Sequence, residues 1–236
     1  LRHRGPNDSG VWFDGDLGVG LAHRRLSIID TSAAGRQPMQ SSSGRYIIIF
    51  NGEIYNHIEI RKEIEINKKT QWKSTSDTET IIEAFEIWGI EKSIRKFIGM
   101  FAIAVWDKKE KSLFLIRDRM GEKPLYYGWQ NNVFLFGSEL KSLYAHPNFE
   151  NKLNKKSLAL FMRYSYVPDP YSIFSNIYKL PPASFIKLKI GSKAQINLTL
   201  PDPTKYWSLE NAFKNGKNNT SNKFINGKQN HKKVIS

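Results

Sequence analysis

The sequence has no cysteine. That removes disulfides, thiolate metal sites and any thiol nucleophile from what these 236 residues can supply by themselves. No run approaches the ~18 apolar residues of a membrane-spanning helix, so no membrane partner is expected. Acidic residues are scarce: 22 Asp and Glu stand against 36 Lys and Arg, a net charge of +14. The N-terminus, LRHRGPNDSG, lacks the apolar core of a signal peptide. It also lacks Met, so an upstream segment is expected. The five histidines (His3, His23, His57, His146 and His231) show no metal-ligand spacing, and no metal is expected.

The positive charge raises nucleic acid as a partner, but its distribution argues against one. From Asn211 onward six lysines meet no acid, which puts +6 in the tail and +8 in the residues before it. Residues 208–236 are Asn- and Lys-rich and read as a linker or disordered tail. No aromatic–basic platform accompanies them, so no nucleic-acid partner is expected.

What remains is a chain that is 40% hydrophobic, enough for a core. The first part reads as strands joined by tight turns, with Asp14-Gly15 at one hairpin. In YIIIFNGEIYNH, Asn51-Gly52 lies between apolar, β-favouring residues, and that spacing predicts a second hairpin. HIEIRKEIEINKK predicts a short helix. STSDTETIIEAFEIWG predicts a longer one, with Ser76 and Glu79 as a capping box, an apolar stripe of Ile81, Ile82, Phe85 and Trp88, and Gly89 as its end. A further helix is expected from Glu91 to Ile98, closing at Gly99. Then come four strands read as an antiparallel meander, two helices (SELKSLYAH and SLALFMRYS), a proline-rich extended loop and a last hairpin at Gly191-Ser192. Strands and helices in blocks predict an α+β class with helices layered on antiparallel sheets. No phosphate-cradling glycine loop is present.

Nine motifs follow in order: HRGPNDSG, HRRLSIID, GRQPM, FNGEIYNH, SDTE, GMFAIAVWD, RDRMGEKPLYY, FGSELKSL and VPDPYSIFSNIYKLPPA. Together they resemble the glutaminase domain of bacterial glutamine-hydrolysing asparagine synthetases, a class II glutamine amidotransferase. The resemblance covers residues 1–207, with 208–236 outside it. It implies an N-terminal-nucleophile hydrolase fold, an αββα sandwich of two antiparallel sheets flanked by helices. It implies that an N-terminal cysteine attacks the glutamine side-chain amide, its own α-amine acting as base. It further implies that the Asn51 side chain and the Gly52 backbone N–H form the oxyanion hole. Arg25 would take the substrate carboxylate, helped by the backbone of Leu26, Ser27, Ile28 and Ile29, while Glu53 and Asp77 would take the ammonium.

On residue chemistry alone plainer readings stand beside these. Arg25 belongs to a simply basic HRR, Asp77 sits where a helix begins, and Glu53 follows a turn. RDRMGEKPLYY and FGSELKSL are read as structural, with Arg117, Asp118 and Arg119 pairing with one another or with backbone. Two departures matter. The nucleophilic cysteine is absent, so the chain as written is expected to be inactive. Also absent is the SGG-x-D-S pyrophosphate loop of the ATP-using ligase domain that follows in the family. No cofactor is expected for this domain; ATP and Mg belong to the missing synthetase domain, the partner implied in cis. Glutamine is the implied small-molecule substrate, the implied location is cytoplasmic, and a homodimer is possible. The alternative is a non-catalytic glutamine- or partner-binding module.

Overall fold

The computed structural model describes residues 1–67, 69–191, 198–214 and 216. The chain divides into a unit of residues 1–206 and a second of residues 207–236. In the second, 209–214 are helical, with Ser208 Oγ accepting the Asn211 N–H at 3.2 Å. The rest of the tail lies outside the described residues, apart from residue 216.

The first unit opens with the hairpin β1 (Asp8–Asp14) and β2 (Val19–Arg25), whose register pairs Asp14 with Val19 around the Asp14-Gly15 turn. β3 (Met39–Gln40) and β4 (Tyr46–Ile54) follow, then α1 (His57–Asn67), α2 (Asp77–Trp88) and α3 (Ile90–Lys96). β5 (Gly99–Asp107), β6 (Ser112–Arg117), β7 (Tyr126–Gln130) and β8 (Val133–Gly137) come next. α4 (Leu140–Tyr144), α5 (Lys155–Tyr164), β9 (Tyr178–Lys179), β10 (Ser184–Lys189) and β11 (Thr204–Lys205) complete it.

One sheet of six antiparallel strands runs β11-β10-β6-β5-β4-β3. Alternation along β4 and β5 splits their side chains between two faces. Tyr46, at one end of β4, meets Phe85 of α2, and a ring chain through Phe97 to Phe101 of β5 seals the sheet against the helices. Ile47, Ala104, Trp106, Leu115 and Ile186 point the other way and pack against Val19, Leu21, Leu125 and Tyr127. That second layer consists of two ladders, β1-β2 and β8-β7-β9. Beyond it Leu143 of α4 packs with Leu135 and Ile177. The layers are therefore helix, sheet, sheet, helix, as expected.

Several details differ from the expectations. Asn51-Gly52 is not a turn: both residues lie inside β4, opposite Ala102 and Phe101. Gly52 has φ 155°, and a Cβ there would collide with the Met100 carbonyl and lie 2.7 Å from Phe101 Cα. The glycine is required by close approach within a sheet rather than by a reversal. Gly99 does not end a helix but starts β5, where a Cβ would meet the Glu53 carbonyl. The capping box is open. Ser76 Oγ accepts the Thr78 N–H, but the Glu79 carboxylate is drawn to the N–H groups of Lys73 and Ser74 and to the Ser74 hydroxyl. The Gly191-Ser192 turn lies partly outside the described residues; β10 instead pairs with the distant β11.

The four strands after Gly99 are two hairpins in different layers, and the chain crosses between them at Asp118. The buried Asp118 carboxylate accepts four backbone N–H groups: Met120 and Glu122 on Oδ1, Phe101 and Lys123 on Oδ2, at 2.9–3.2 Å. Arg117 spends its guanidinium on the carbonyls of Lys123, Gly121 and Leu180 and on Asp169 Oδ2 at 3.0 Å. These bonds go to backbone and to Asp169, not to Arg119.

Candidate active site

Where β4 runs past the end of β3, its free side is lined by polar groups. The Phe50 N–H is taken by the Gln37 side-chain oxygen at 2.6 Å and the Ile54 N–H by Asp77 Oδ2 at 3.0 Å. His23 Nε2 contacts the Phe50 carbonyl at 3.1 Å. The alternation of an antiparallel ladder puts the Gly52 N–H on this same side, between those of Phe50 and Ile54. Its opposite number, Phe101, turns both its N–H and its C=O toward Asp118.

A cavity of about 740 Å³ opens here, walled by β2 and the loop after it, β4, β5, and the end of β8 with α4. All nine residues singled out from the sequence line it: Arg25, Leu26, Ser27, Ile28, Ile29, Asn51, Gly52, Glu53 and Asp77. They come from three separated stretches of chain, so only the fold brings them together.

Each arrives in a defined state. Arg25, the last residue of β2, is buried, and its guanidinium donates to the carbonyls of Ser32 (2.7 Å) and Asp30. It staples the loop after β2, and the stem of Gly35 must be bare because a Cβ would strike the guanidinium. Leu26, Ile28 and Ile29 are exposed, so that loop presents apolar side chains to water. Asn51 Nδ2 donates to Ser138 Oγ at 3.0 Å, across from β4 to the end of β8. The Glu53 carboxylate makes no hydrogen bond or ion pair among the described residues.

Asp77, first residue of α2, is 5% exposed. Burial pushes its carboxyl up, the Ile54 N–H and nearby His57 pull it down, and Glu53 adds a like charge that raises it again. Burial lowers His23, which is thereby kept neutral; its Nδ1 is buried without a hydrogen-bond partner. Asp30, beside Arg25, is held down at about 2, chiefly by Ser32 and also by Thr75.

Three lining residues escaped the sequence reading. Ser138 lies in FGSELKSL, read as structural, yet its hydroxyl holds the Asn51 amide. Gln37, in GRQPM, bridges β4 to Thr78 of α2. His23 opens HRRLSIID. The available signal was membership in the ordered motifs. The cavity offers a guanidinium on one wall, two neighbouring carboxylates on another and amide donors between them. That set suits a small zwitterion with a polar side chain. Among the described residues no cluster of His, Asp or Glu has metal-ligand geometry.

The glutamine amidotransferase domain model matches residues 1–207. "Asparagine synthetase [glutamine-hydrolyzing] 1" of Bacillus subtilis is 40% identical over 182 residues, covering 77% of this chain and 28% of that protein. "Asparagine synthetase [glutamine-hydrolyzing] 3" of the same organism is 37% identical over 213 residues, 89% of this chain and 33% of that protein. The chain thus spans about a third of the length of these relatives. Among solved structures, the glutamine phosphoribosylpyrophosphate amidotransferase of B. subtilis superposes with a TM-score of 0.52 at 16% identity, over 80% of this chain and 35% of that one. That likeness concerns the fold alone, the N-terminal-nucleophile hydrolase sandwich. By its sequence and its layers, the chain belongs to the glutamine amidotransferase domain family.

Proposed function

We propose that residues 1–207 are the glutaminase half of a glutamine-hydrolysing asparagine synthetase, releasing ammonia for the amidation of aspartate by an ATP-dependent domain in cis. The observation that carries this reading is the convergence of Arg25, Asn51, Gly52, Glu53 and Asp77 on one cavity. The α-carboxylate of glutamine would meet the N–H groups that Arg25 does not spend on Ser32 and Asp30. The α-ammonium would lie between Glu53 and Asp77, and its charge would relieve the strain of burying Asp77 with a like-charged neighbour. The side-chain amide would then reach the free side of β4.

Attack on that amide produces an oxyanion, which needs donors already in place. Asn51 Nδ2 has a second hydrogen beyond the one given to Ser138, and the Gly52 N–H points to the same side of the strand. The attacking thiol is a group these residues do not supply; the family likeness assigns it to an N-terminal cysteine. ATP and Mg would act only in the partner domain. Residues 208–236 would be the linker toward it, and the cytoplasm would be the site of action. Among the described residues no helix is long and apolar enough to cross a membrane.

The test uses the intact gene product. Asn51→Ala is expected to lower kcat for glutamine hydrolysis by about 10²–10³ with little change in KM. Asparagine formation from free ammonia should be unaffected. A variant that hydrolyses glutamine at the parental rate would remove Asn51 from the oxyanion hole. An intact product whose mature chain does not begin with cysteine would favour the glutamine-binding alternative.

A further inference from the structure

Residues 26–34, the loop after Arg25, hold one buried side chain, and it is a carboxylate. Leu26, Ile28 and Ile29 are exposed, whereas Asp30 is 8% exposed. An ionised group withdrawn from water needs hydrogen bonds in compensation, and Asp30 has them on both oxygens. Oδ1 accepts the Ser32 N–H at 2.7 Å, while Oδ2 accepts the Thr75 N–H at 2.8 Å and the Thr75 hydroxyl at 3.2 Å. The Asp30 backbone carbonyl, with that of Ser32, takes the Arg25 guanidinium. Thr75 is itself a fixed point. Arg61 of α1 donates to the carbonyls on either side of it, Ser74 at 3.0 Å and Ser76 at 2.8 Å, with its guanidinium 4.2 Å from the centre of the Trp72 ring. Asp77 follows two residues after Thr75.

We propose that Asp30 is a positioning residue: its carboxylate sets the gap between the Arg25 guanidinium and the Asp77 carboxylate, and so selects ligands that carry both an α-carboxylate and an α-ammonium. The ligand ends assigned to Arg25 and Asp77 are those of the functional reading above, on which the proposal rests. Three ties make a triangle. β2 meets β4 through His23 Nε2 and the Phe50 carbonyl at 3.1 Å. β4 meets α2 where the Ile54 N–H reaches Asp77 Oδ2, and where Gln37 bridges the Phe50 N–H to the Thr78 hydroxyl. Two sides that share one strand do not by themselves fix the gap across the cavity. Asp30 is the third side, joining the loop that carries the acceptors of Arg25 to the residues leading into α2. Gly35 hems in the guanidinium, since a Cβ there would collide with it. One carboxylate anchored to both fragments fixes the two charged groups before a ligand arrives, which lowers the ordering cost of binding.

Kinetics and calorimetry on the intact gene product test the proposal with two ligands, glutamine and 4-carbamoylbutanoate, which is glutamine without its α-amino group. Asp30→Asn keeps the side-chain shape but leaves a single oxygen, which cannot serve the Ser32 and Thr75 N–H groups together. The variant is expected to raise KM and Kd for glutamine on the order of 10-fold. By contrast, kcat should change by less than about 2-fold, as should the Kd of 4-carbamoylbutanoate, which has no group for Asp77. Thr75→Val keeps the carboxylate and its bond to Ser32. It should give the same pattern at about 2- to 5-fold, and it decides the matter if Asp30→Asn does not fold. An unchanged glutamine Kd would overturn the proposal and leave the functional reading in place. So would an equal loss for both ligands, which would mark a general loosening of the fold. If the parent bound glutamine without releasing ammonia, while Asp30→Asn weakened glutamine alone, the functional reading would fall and the positioning role would stand.

Discussion

Replacing Asp77 with Asn should separate what this residue does for the fold from what it does for a ligand. Its one hydrogen bond from β4, the Ile54 N–H at 3.0 Å, survives because the Asn oxygen can accept it. At the start of α2 the carboxylate gains about 0.3–1 kcal/mol from the helix dipole, which Asn forgoes. Against that, burial raises its pKa. A carboxyl whose folded pKa lies above the unfolded 3.8 costs stability once pH rises through the folded value. The two effects oppose each other, so unfolding free energy at pH 7 should change by no more than about 1 kcal/mol. The ligand side has no such offset. A hydrogen bond to a charged partner contributes about 1.5–3 kcal/mol, so glutamine binding should weaken by about 10- to 150-fold. Calorimetric titration with glutamine and urea unfolding of the same sample give both numbers. A stability loss above about 2 kcal/mol with unchanged affinity would refute the reasoning and leave Asp77 as a helix-start residue only.

Gly52→Ala should destabilise the fold by about 2–5 kcal/mol, from a collision within the sheet and a backbone angle that a side chain resists; urea unfolding as stable as the parent would mean that β4 and β5 are not this close. Asp30, with its pKa lowered to about 2, contributes stability above 3.8 that is lost as pH falls toward 2. Asp30→Asn should flatten the unfolding free energy across that interval, and an unchanged acid slope would contradict it. His23, lowered by burial, binds its proton more weakly when folded than at the unfolded 6.5. Stability should therefore decline as pH drops below 6.5, and His23→Gln should reduce that decline; identical pH profiles for the two proteins would count against a buried neutral ring.

The helices and layers were legible because their signals are local. Ser76 and Gly89 bracket α2, and an apolar stripe faces the sheet. Asn51-Gly52 was misread for the same reason. Asn-Gly between β-favouring residues looks identical whether the chain reverses or another backbone crowds against it, and only the pairing with Ala102 and Phe101 decides. The meander failed similarly: β6 and β7 are neighbours in sequence but lie in different layers. The site residues were legible through the order of motifs, not through their individual chemistry. Arg25 shows what that order leaves out, since its guanidinium already serves the Asp30 and Ser32 carbonyls. Ser138 stayed hidden because a serine before a helix usually signals nothing beyond a helix start, whereas here it reaches 87 residues back in the chain to hold Asn51.

The crossover at Asp118 bears on how such a sequence can drift. One side chain satisfies four amides spread from Phe101 to Lys123, so the spacing of those amides is a length standard for the connection between the layers. Adding or deleting a residue between Met120 and Lys123 would strand at least one part-buried donor, at up to about 1–3 kcal/mol each. The turn at 15–18 carries no such constraint beyond a single bond from Leu17 to Asp14. Insertions gathered in related chains should therefore accumulate at the β1–β2 turn and be nearly absent from 118–123, whatever acceptor the ammonia eventually reaches.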